Sequence, residues 1–410
     1  MKKILSMILA LSLVLAMLAG CSSSGSGNSQ APGTNPPAGT QSEEPTGGDN
    51  AVAVSEWVIP VLSARTGPIS YVGEPAIWAA QYAAEMINAE GGIRGVPVRV
   101  EPYDTEFTAE VGAQIASRLA DDTLFMLGCM AAPVSLAISQ IAYDAKMPNV
   151  GSYSYPEIRD EFAPYLCGYM SDSEAGDLSA CTQWCSANGY KKIVLIYTPS
   201  DTSQAATKKL FDEQLGGYGI EVAGTVEVET GTLDCGPAAV QALGYGADAY
   251  FVCLRADEAG KLINELRARG VDSGDKICAT FSAFGTTLLD IAGSNAEGVY
   301  IWNKLDPNYQ GETWQKLVEA YKPDFNGEMP SVPPITGYYN TMIALKLCYE
   351  ELEITGDPAK LDEEREAIAN WFYNSPVIEG CQGEFQWVNG AMMTDALMFR
   401  IENGEFVRMA

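Results

Sequence analysis

Three glycines fall within five residues in MINAEGGIRGVPVRVEPYD (residues 86–104), and a cluster of this kind can cradle a phosphate. A phosphate-binding loop, however, follows a strand and precedes a helix, because the anion lies at the helix N-terminus. Here the order is reversed, since apolar residues at helical spacing come first and alternating valines come after them. Gly91 and Gly92 therefore predict a helix cap and the start of a strand, not a nucleotide site.

The chain of 410 residues contains no histidine, which removes Ser-His-Asp and Cys-His catalysis and imidazole-based zinc sites. Among its ten cysteines, Cys181 and Cys185 share one face of a predicted helix. Their Cβ atoms would lie about 5–6 Å apart there, too far for a disulfide, and two thiols are too few for a metal site. We therefore interpret most cysteines as buried apolar thiols and predict no enzyme activity, no metal and no cofactor.

The formal net charge of −28 and the 47% hydrophobic content indicate an acidic, globular chain long enough for two or more lobes. Nucleic-acid binding depends on Lys and Arg side chains that neutralise phosphates, and anionic lipid headgroups repel an acidic surface. We therefore expect no nucleic-acid partner and no direct membrane binding by the folded body. A monomer is the default expectation.

The N-terminus predicts export and lipidation. Two lysines precede an apolar stretch of signal-peptide length, which ends in Leu-Ala-Gly-Cys. This ending resembles a bacterial lipobox, so we expect residues 1–20 to be a signal peptide and Cys21 to be acylated; an ordinary secretion signal is the alternative. Ser, Gly and Pro dominate the segment after Cys21, so residues 21–51 are expected to hold the lipidated cysteine and a flexible tether outside the cell.

The helix–glycine–strand pattern recurs along the chain in ANGYKKIVLIYT, YGIEVAGTVEVE and ARGVDSGDKICATF. Helical segments such as ATKKLFDEQLGG and EAGKLINELRARG separate the strands. Strands that alternate with helices of this length form βαβ units and a parallel sheet, and apolar runs such as IVLIY fit burial on both faces. The predicted fold class is therefore α/β.

Several motifs carry a resemblance to a known family: INAEGGI (87–93) before the second strand, Tyr-Asp after it, IAGSNAEGVYIWNKLDP (291–307) and GYYNTMIALKLCYEEL (337–352). With the preceding VIPVLSARTGPISYVG, they resemble the leucine/isoleucine/valine-binding protein family over roughly residues 52–410. Members are substrate-binding proteins of ABC importers with the type 1 periplasmic-binding fold. The resemblance implies two doubly wound parallel-sheet lobes joined by three hinge crossovers, with a ligand cleft between them.

The resemblance also implies the lobe boundaries and the function. Lobe one is expected to comprise residues 52–170 and 303–377, and lobe two residues 171–302 and 378–410. Hinge closure would trap a small amino acid or a related carboxylate or amide, and the closed form would engage the permease and ATPase subunits of an importer. A ligand-sensing receptor component of the same fold and a histidine-independent enzyme are the alternatives.

In this family, loops after the strands line the cleft. The first loop here is SARTGPISYVG, which offers Arg65, Thr66 and Tyr71. Trp78 lies early on the following helix, where it either stacks on the ligand or packs as a core aromatic.

The next two loops of lobe one are GCMAAPVS and GSYSYPE. The family usually carries a serine or threonine near Ala131 and Ala132, so the alanines leave only backbone amides, at a helix N-terminus that favours an anion. Ser152, Tyr153 and Ser154 align with the family segment that binds both the amine and the carboxylate of the ligand.

Lobe two departs from the family pattern. Thr202 stands where relatives often carry tyrosine, and Arg255 where they often have tyrosine or glycine. Phe281 stands where amino-acid binders place the acid for the ligand ammonium, and a buried ammonium without a partner is unfavourable. Unless Asp257, Glu258 or a carbonyl replaces that contact, the ligand need not carry an α-amine. Arg255 suggests a second anionic or polar group, or else an ion pair within the lobe.

Overall fold

The computed structural model describes residues 51–153, 156–330, 333–394 and 396–409. The expected signal peptide, the lipidation site Cys21 and most of the tether lie outside the described residues, and so does Ser154. Within these ranges, no helix combines the length and the apolar character that crossing a bilayer requires.

Five parallel strands and their helices form lobe one. Their bounds are β1 (Trp57–Ser63), α1 (Ser70–Ala89), β2 (Val98–Asp104), α2 (Ala109–Leu119), β3 (Met126–Leu127), α3 (Ala132–Asp144), β4 (Asn149–Gly151), α4 (Pro156–Glu161) and β5 (Leu166–Gly168). The strand order is β2-β1-β3-β4-β5. Six of the seven residues of β1 are buried, as expected for a parallel strand that is covered on both faces.

The prediction from the glycine cluster is confirmed. Helix α1 ends at Ala89, and Gly91 and Gly92 follow with φ of +105° and +78°, a region that favours glycine. A Cβ on Gly92 would lie 2.2 Å from the carbonyl oxygen of Val96, so the turn also requires the missing side chain. The chain then enters β2, and the glycines serve the helix-to-strand connection.

Lobe two is built on a seven-stranded sheet. Its elements are α5 (Ser173–Asn188), β6 (Lys192–Tyr197), α6 (Thr202–Gln214), β7 (Glu221–Glu227), α7 (Gly236–Gly244), β8 (Ala249–Cys253), α8 (Ala256–Ala268), β9 (Ile277–Ala279), α9 (Thr286–Ala292), β10 (Tyr300–Asn303), β14 (Leu397–Glu402) and β15 (Glu405–Arg408). The order is β7-β6-β8-β9-β10-β14-β15, and only β14 and β15 run antiparallel to their neighbours. These two strands form a hairpin on Asn403-Gly404, whose positive φ values suit a two-residue turn.

The predicted fold class, two doubly wound α/β lobes, is confirmed. In lobe one, α1 packs on one face of the sheet and α2 with α3 on the other. In lobe two, α5 and α6 cover one face, and α7, α8 and α9 cover the other. The chain passes between the two sheets three times, after β5, after β10 and before β14.

The predicted boundary at residue 378 is wrong. After α10 (Glu312–Asp324), α11 (Pro334–Glu351) and α12 (Leu361–Tyr373), the chain forms a small sheet of β11 (Ile378–Gly380), β12 (Gly383–Val388) and β13 (Ala391–Met393). This sheet belongs to the core of lobe one, because Phe385, Trp387 and Met392 are buried there. The indole Nε1 of Trp387 donates to the carbonyl oxygen of Gly168 at 2.7 Å. Lobe one therefore extends to residue 393, and the chain returns to lobe two at β14.

The interpretation of the cysteines as buried thiols is confirmed within the described residues, where all nine are buried and unpaired. Cys181 and Cys185 lie on the face of α5 that is buried in the core of lobe two.

Candidate functional site

The parallel register places the first loop of lobe one against the end of β2. Asp104 accepts hydrogen bonds from the backbone N–H groups of Arg65 (3.0 Å) and Thr66 (3.3 Å) and from the Thr66 hydroxyl (2.7 Å). Desolvation raises the pKa of Asp104, but these bonds bring it below its usual value overall. The Nε of Arg65 lies 3.0 Å from Glu74, so both Arg65 and Thr66 are engaged within their own lobe. Tyr71 is 71% exposed.

Trp78 on α1 packs against α10. Its ring stacks on Tyr82 with centroids 5.2 Å apart and meets Tyr321 edge-on at 5.1 Å. Its Nε1 donates to Asp324 at 2.8 Å. Of the two roles expected for Trp78, these contacts are those of a packed aromatic side chain.

The second and third loops of lobe one are tied together by Ser135 on α3. Its hydroxyl donates to the carbonyl oxygen of Cys129 at 2.8 Å and accepts from the backbone N–H of Ser152 at 3.1 Å. Ala131 and Ala132 begin α3, and no side chain caps the helix there. The arrangement brings the Ser152 loop beside the N-terminus of a thirteen-residue helix, which favours a negatively charged ligand group.

The side chain of Tyr153 points into the core of lobe one, so only its backbone could contact a ligand. Tyr153 is completely buried in lobe one, and its hydroxyl donates to Oδ1 of Asn149 at 2.6 Å. Burial raises the pKa of Tyr153 well above its usual value. Ser152, in the bend that follows β4, is only half-buried.

A buried ion pair holds the Tyr153 loop and the first crossover together. Arg159 on α4 donates from Nη1 and Nη2 to Oδ1 and Oδ2 of Asp172 at 2.8 and 2.7 Å. Its Nη1 also donates to the carbonyl oxygen of Tyr153 at 2.5 Å. Desolvation raises the pKa of Asp172, although Arg159 opposes the shift. Sequence reasoning missed this pair; the acidic run SDSEAGD directly after a buried strand was the available signal.

In lobe two, the loops that follow β6 and β8 meet at Arg255. Its Nη2 lies 3.4 Å from Oδ2 of Asp201, which caps α6 through the N–H groups of Ser203 and Gln204. The Arg255 side chain is 60% exposed, so this ion pair adds little to stability and leaves the guanidinium accessible. Thr202 begins α6, and its side chain lies outside the described part of the chain.

Asp177 on α5 joins the carboxyl ends of three strands of lobe two. Its carboxylate accepts hydrogen bonds from Thr280 Oγ1 (2.5 Å), Trp302 Nε1 (2.6 Å), Thr207 Oγ1 (2.6 Å) and Cys253 Sγ (3.4 Å). Burial raises the pKa of Asp177, and the hydrogen bonds oppose the shift. An ionised carboxylate is an acceptor only, so four donors match its capacity. The network positions the residues on either side of Phe281.

Phe281 lies between Trp302 and a lysine that sequence reasoning missed. The ring centroids of Phe281 and Trp302 are 5.1 Å apart, and the Nζ of Lys304 lies 4.7 Å from the Phe281 centroid. The same Nζ donates to the carbonyl oxygen of Ser171 (2.7 Å) and to the hydroxyl of Ser173 (3.0 Å). Burial lowers the pKa of Lys304 to about 8. The Lys304 ammonium thus lies beside Phe281, the position that the resemblance aligns with the acid of amino-acid binders.

The two acids considered as substitutes for the missing carboxylate are engaged within lobe two. Oε1 of Glu258 accepts from the backbone N–H of Gly231 at 2.6 Å, and the side chain is 2% exposed. Asp257 lies 3.4 Å from the Nζ of Lys261, one turn along α8.

Replacing Glu174 with glutamine is expected to change how stability depends on pH. Burial, together with the charge of Asp172, raises the pKa of Glu174 to about 7. The folded state then binds more protons than the unfolded chain between about pH 4.5 and 7, so wild-type stability falls as the pH rises through this window. Glu174→Gln should remove this fall and raise the free energy of unfolding by about 1–2 kcal/mol at pH 8, with no gain at pH 4.

Denaturant titrations across this pH range measure the effect, with Glu161→Gln, at an exposed position of α4, as the matched control. A stability difference that does not vary with pH would contradict the assignment.

The chain is similar to known solute-binding proteins in sequence and in fold. A profile described as periplasmic binding protein matches residues 56–405. The Leu/Ile/Val-binding protein of Escherichia coli K12 is 20% identical over 362 residues, covering 85% of this chain and 95% of that protein. A substrate-binding protein of the branched-chain amino acid transporter from Streptococcus pneumoniae, solved with isoleucine, superposes with a TM-score of 0.62 at 19% identity, covering 86% and 99% of the chains. An ABC transporter substrate-binding protein from Desulfitobacterium hafniense, solved with Leu, gives 0.66 at 18% identity, covering 86% and 100%.

Proposed function

The chain belongs to the periplasmic binding protein family, and on this basis we propose that it is the extracytoplasmic solute-binding protein of an ABC importer. Its ligand is a small amino acid or a related carboxylate or amide. The observation that carries this proposal is the pairing of two doubly wound lobes whose parallel strands end in loops with hydroxyls and backbone amides. The Escherichia coli relative is named for Leu, Ile and Val, which supports the ligand class.

Hinge closure is the proposed binding motion. Lobe one would comprise residues 52–170 with 303–393, and lobe two residues 171–302 with 394–410. The ion pair between Lys209 on α6 and Glu157 on α4 joins the lobes, but at 3.5 Å and with both side chains largely exposed it adds little. The three crossovers therefore leave the lobes able to part, and the closed form would engage the permease and ATPase subunits.

We assign the ligand carboxylate to lobe one. The backbone amides of Ala131 and Ala132, at the start of α3, and the Ser152 loop beside them supply hydrogen-bond donors and the positive end of a helix dipole. Ser152 is half-buried, in contrast to the fully buried Tyr153. Tyr71 would cover the ligand from the first loop, where Arg65 and Thr66 have intralobe partners.

Lobe two would contact the other end of the ligand through Phe281 and Arg255, with Thr202 at the start of α6. The Lys304 ammonium behind Phe281 disfavours a second ammonium close by. The accessible Arg255 guanidinium suits a carboxylate or an amide oxygen. These contacts favour a ligand with an acidic or amide group at the lobe-two end over one that relies on its α-amine there.

Phe281→Glu tests this assignment. A carboxylate at this position would repel an anionic group of the ligand and would pair with Lys304, so we expect affinity for an anionic ligand to fall about ten-fold, equivalent to about 1.4 kcal/mol. Isothermal titration calorimetry measures the change. Phe281→Leu, which keeps an apolar side chain, serves as the matched control and should bind nearly as well as the wild type. Unchanged affinity in Phe281→Glu would place this residue outside the site.

A thermal-unfolding screen of the full-length chain tests the function itself. The ligands are amino acids, short amides and ureas, aromatic acids and dicarboxylates. A ligand at one hundred times its Kd stabilises the protein by about 2.7 kcal/mol, which gives a clear increase in Tm. Stabilisation by branched or aliphatic amino acids alone would favour the amino-acid class and count against the assignment of Phe281. No stabilisation by any of these classes would count against solute binding.

We also propose that the protein is anchored outside the cell through a lipid on Cys21. The prediction is that Cys21→Ala is no longer labelled by palmitate in growing cells and is released or retained as a precursor. Cys348→Ala, which changes a buried thiol of the folded body, is the matched control and should be labelled like the wild type. Palmitate labelling of the Cys21→Ala variant would contradict the lipoprotein assignment.

A further inference from the structure

A polar cavity lies at the hinge, where Lys304 on its wall also reaches the ring of Phe281. It has a volume of about 160 Å³, enough for a small ion together with water. We call it the hinge cavity. The residues that line it and matter here are Lys304, Thr336, Asn340, Gln382, Glu384 and Arg408.

The walls of the hinge cavity come from both lobes. Asn340 belongs to α11 of lobe one, and Arg408 ends β15 of lobe two. Lys304 begins the second crossover, and Gln382 clamps that crossover by bonding both the backbone N–H (2.9 Å) and the carbonyl oxygen (2.7 Å) of Asp306. A bound molecule would therefore touch groups that hinge motion displaces relative to one another.

Two cations of this acidic protein line the cavity. The ammonium of Lys304 uses two of its three N–H donors on Ser171 and Ser173, which leaves one. Arg408 has a single long ion pair with Asp306 at 3.5 Å, and its guanidinium lies over the ring of Tyr309 at 5.4 Å. Most of its five N–H donors are therefore available for a further acceptor.

A buried amide adds a third donor group. Asn340 is 6% exposed, and its Oδ1 accepts from the backbone N–H of Cys381 at 3.0 Å. Within the described part of the chain, its Nδ2 makes no hydrogen bond. Glu384 is the one carboxylate on the wall and is exposed, whereas Asp306 is occupied by Arg408 and by the backbone N–H of Asn308.

We propose that the hinge cavity binds a compact oxyanion, a carboxylate, phosphate or sulfate, through Lys304, Asn340 and Arg408. A guanidinium, an ammonium and an amide with unused donors line this one cavity, and their N–H groups match the acceptors of such an anion. Because the walls belong to both lobes, the bound anion stabilises the lobe arrangement in which they converge. Lys304 also lies behind Phe281 of the proposed solute site, whereas Asn340 and Arg408 take no part in that site. The test through Arg408 therefore does not depend on the identity of the transported solute.

The test is a titration of the full-length chain with inorganic phosphate, sulfate and acetate in separate series, each against chloride at equal ionic strength. We expect a saturable increase in Tm with at least one of them, and the series that saturates identifies the anion class. Arg408→Gln should weaken the apparent affinity about ten-fold, as expected for the loss of a charge-assisted hydrogen bond.

Arg400→Gln is the matched control, because Arg400 lies on the neighbouring strand β14, outside the cavity, where its guanidinium is 3.8 Å from Glu402 and 5.8 Å from the ring centroid of Tyr300. It should retain the wild-type response, whereas Lys304→Met, as a second cavity variant, should lose it. An equal response in the wild type and in Arg408→Gln would reveal general salt stabilisation and overturn the inference, as would the absence of saturation in all three series. A failed solute screen leaves this outcome unaffected.

Discussion

Replacing Arg159 with methionine is expected to lower the free energy of unfolding by about 3–5 kcal/mol, the range for removing one partner of a buried ion pair. Methionine keeps most of the side-chain volume but leaves the buried carboxylate of Asp172, beside the first crossover, without its charged partner. The same change removes the bond from Arg159 to the carbonyl oxygen of Tyr153. The loop that presents Ser152 would therefore lose a support, so solute affinity should fall together with stability.

Urea denaturation of the full-length chain measures the change in stability. Arg118→Met, at an exposed position of α2, is the matched control and should stay within about 0.5 kcal/mol of the wild type. The double variant Arg159→Met/Asp172→Asn should be more stable than Arg159→Met alone, because it removes the stranded charge. A double variant no more stable than the single one would mean that Arg159 acts through packing and not through the ion pair.

Replacing Asp177 with alanine is expected to destabilise the protein by about 3–5 kcal/mol, because several buried donors lose their acceptor together. The Thr280 hydroxyl and the Trp302 indole would remain buried without it. Since these two residues flank Phe281, lobe two should also lose the geometry of its proposed ligand contacts. Asp177→Asn should be milder, because an amide keeps one acceptor oxygen.

The matched control is Asp212→Ala on α6, where the carboxylate forms an exposed pair with Lys208 and its removal should change stability by less than about 1 kcal/mol. Denaturant titration reports stability. Because the chain has seven tryptophans, the surroundings of Trp302 are reported by the difference in fluorescence between each protein and its Trp302→Phe counterpart. If Asp177→Ala lowered stability no more than Asp212→Ala does, water would have to bond the donors that lost Asp177. The hydrogen bonds of Asp177 would then not be needed to hold the lobe-two residues around Phe281 in place.

The glycines between helices and strands and the apolar runs of the strands predicted the α/β lobes, because both are local properties of the chain. Gly91 and Gly92 need the φ values that glycine tolerates, and a run such as β8 is apolar throughout because helices cover both of its faces. The boundary at residue 378 failed for the opposite reason. Nothing local states that Trp387 donates to Gly168, 219 residues earlier, so the strands around it were assigned to the wrong lobe.

The candidate site was also predictable only in part from the sequence. The resemblance to the family placed Ser152, Arg255 and Phe281 in loops that line the cleft, at the carboxyl ends of parallel strands. Which of those side chains face outward was decided by tertiary structure, since Tyr153 finds Asn149 in the core while Ser152 does not turn inward.

The sequence determined the acidic charge, the absence of histidine chemistry and the order of strands and helices, because these follow from residue types and short spacings. The tertiary structure alone decided the charged groups at the hinge. Arg159 meets Asp172 across 13 residues, Asp177 meets Trp302 across 125, and Lys304 meets Ser171 across 133. Such pairs form because folding removes each charge from water and each then requires a partner, wherever the chain brings one.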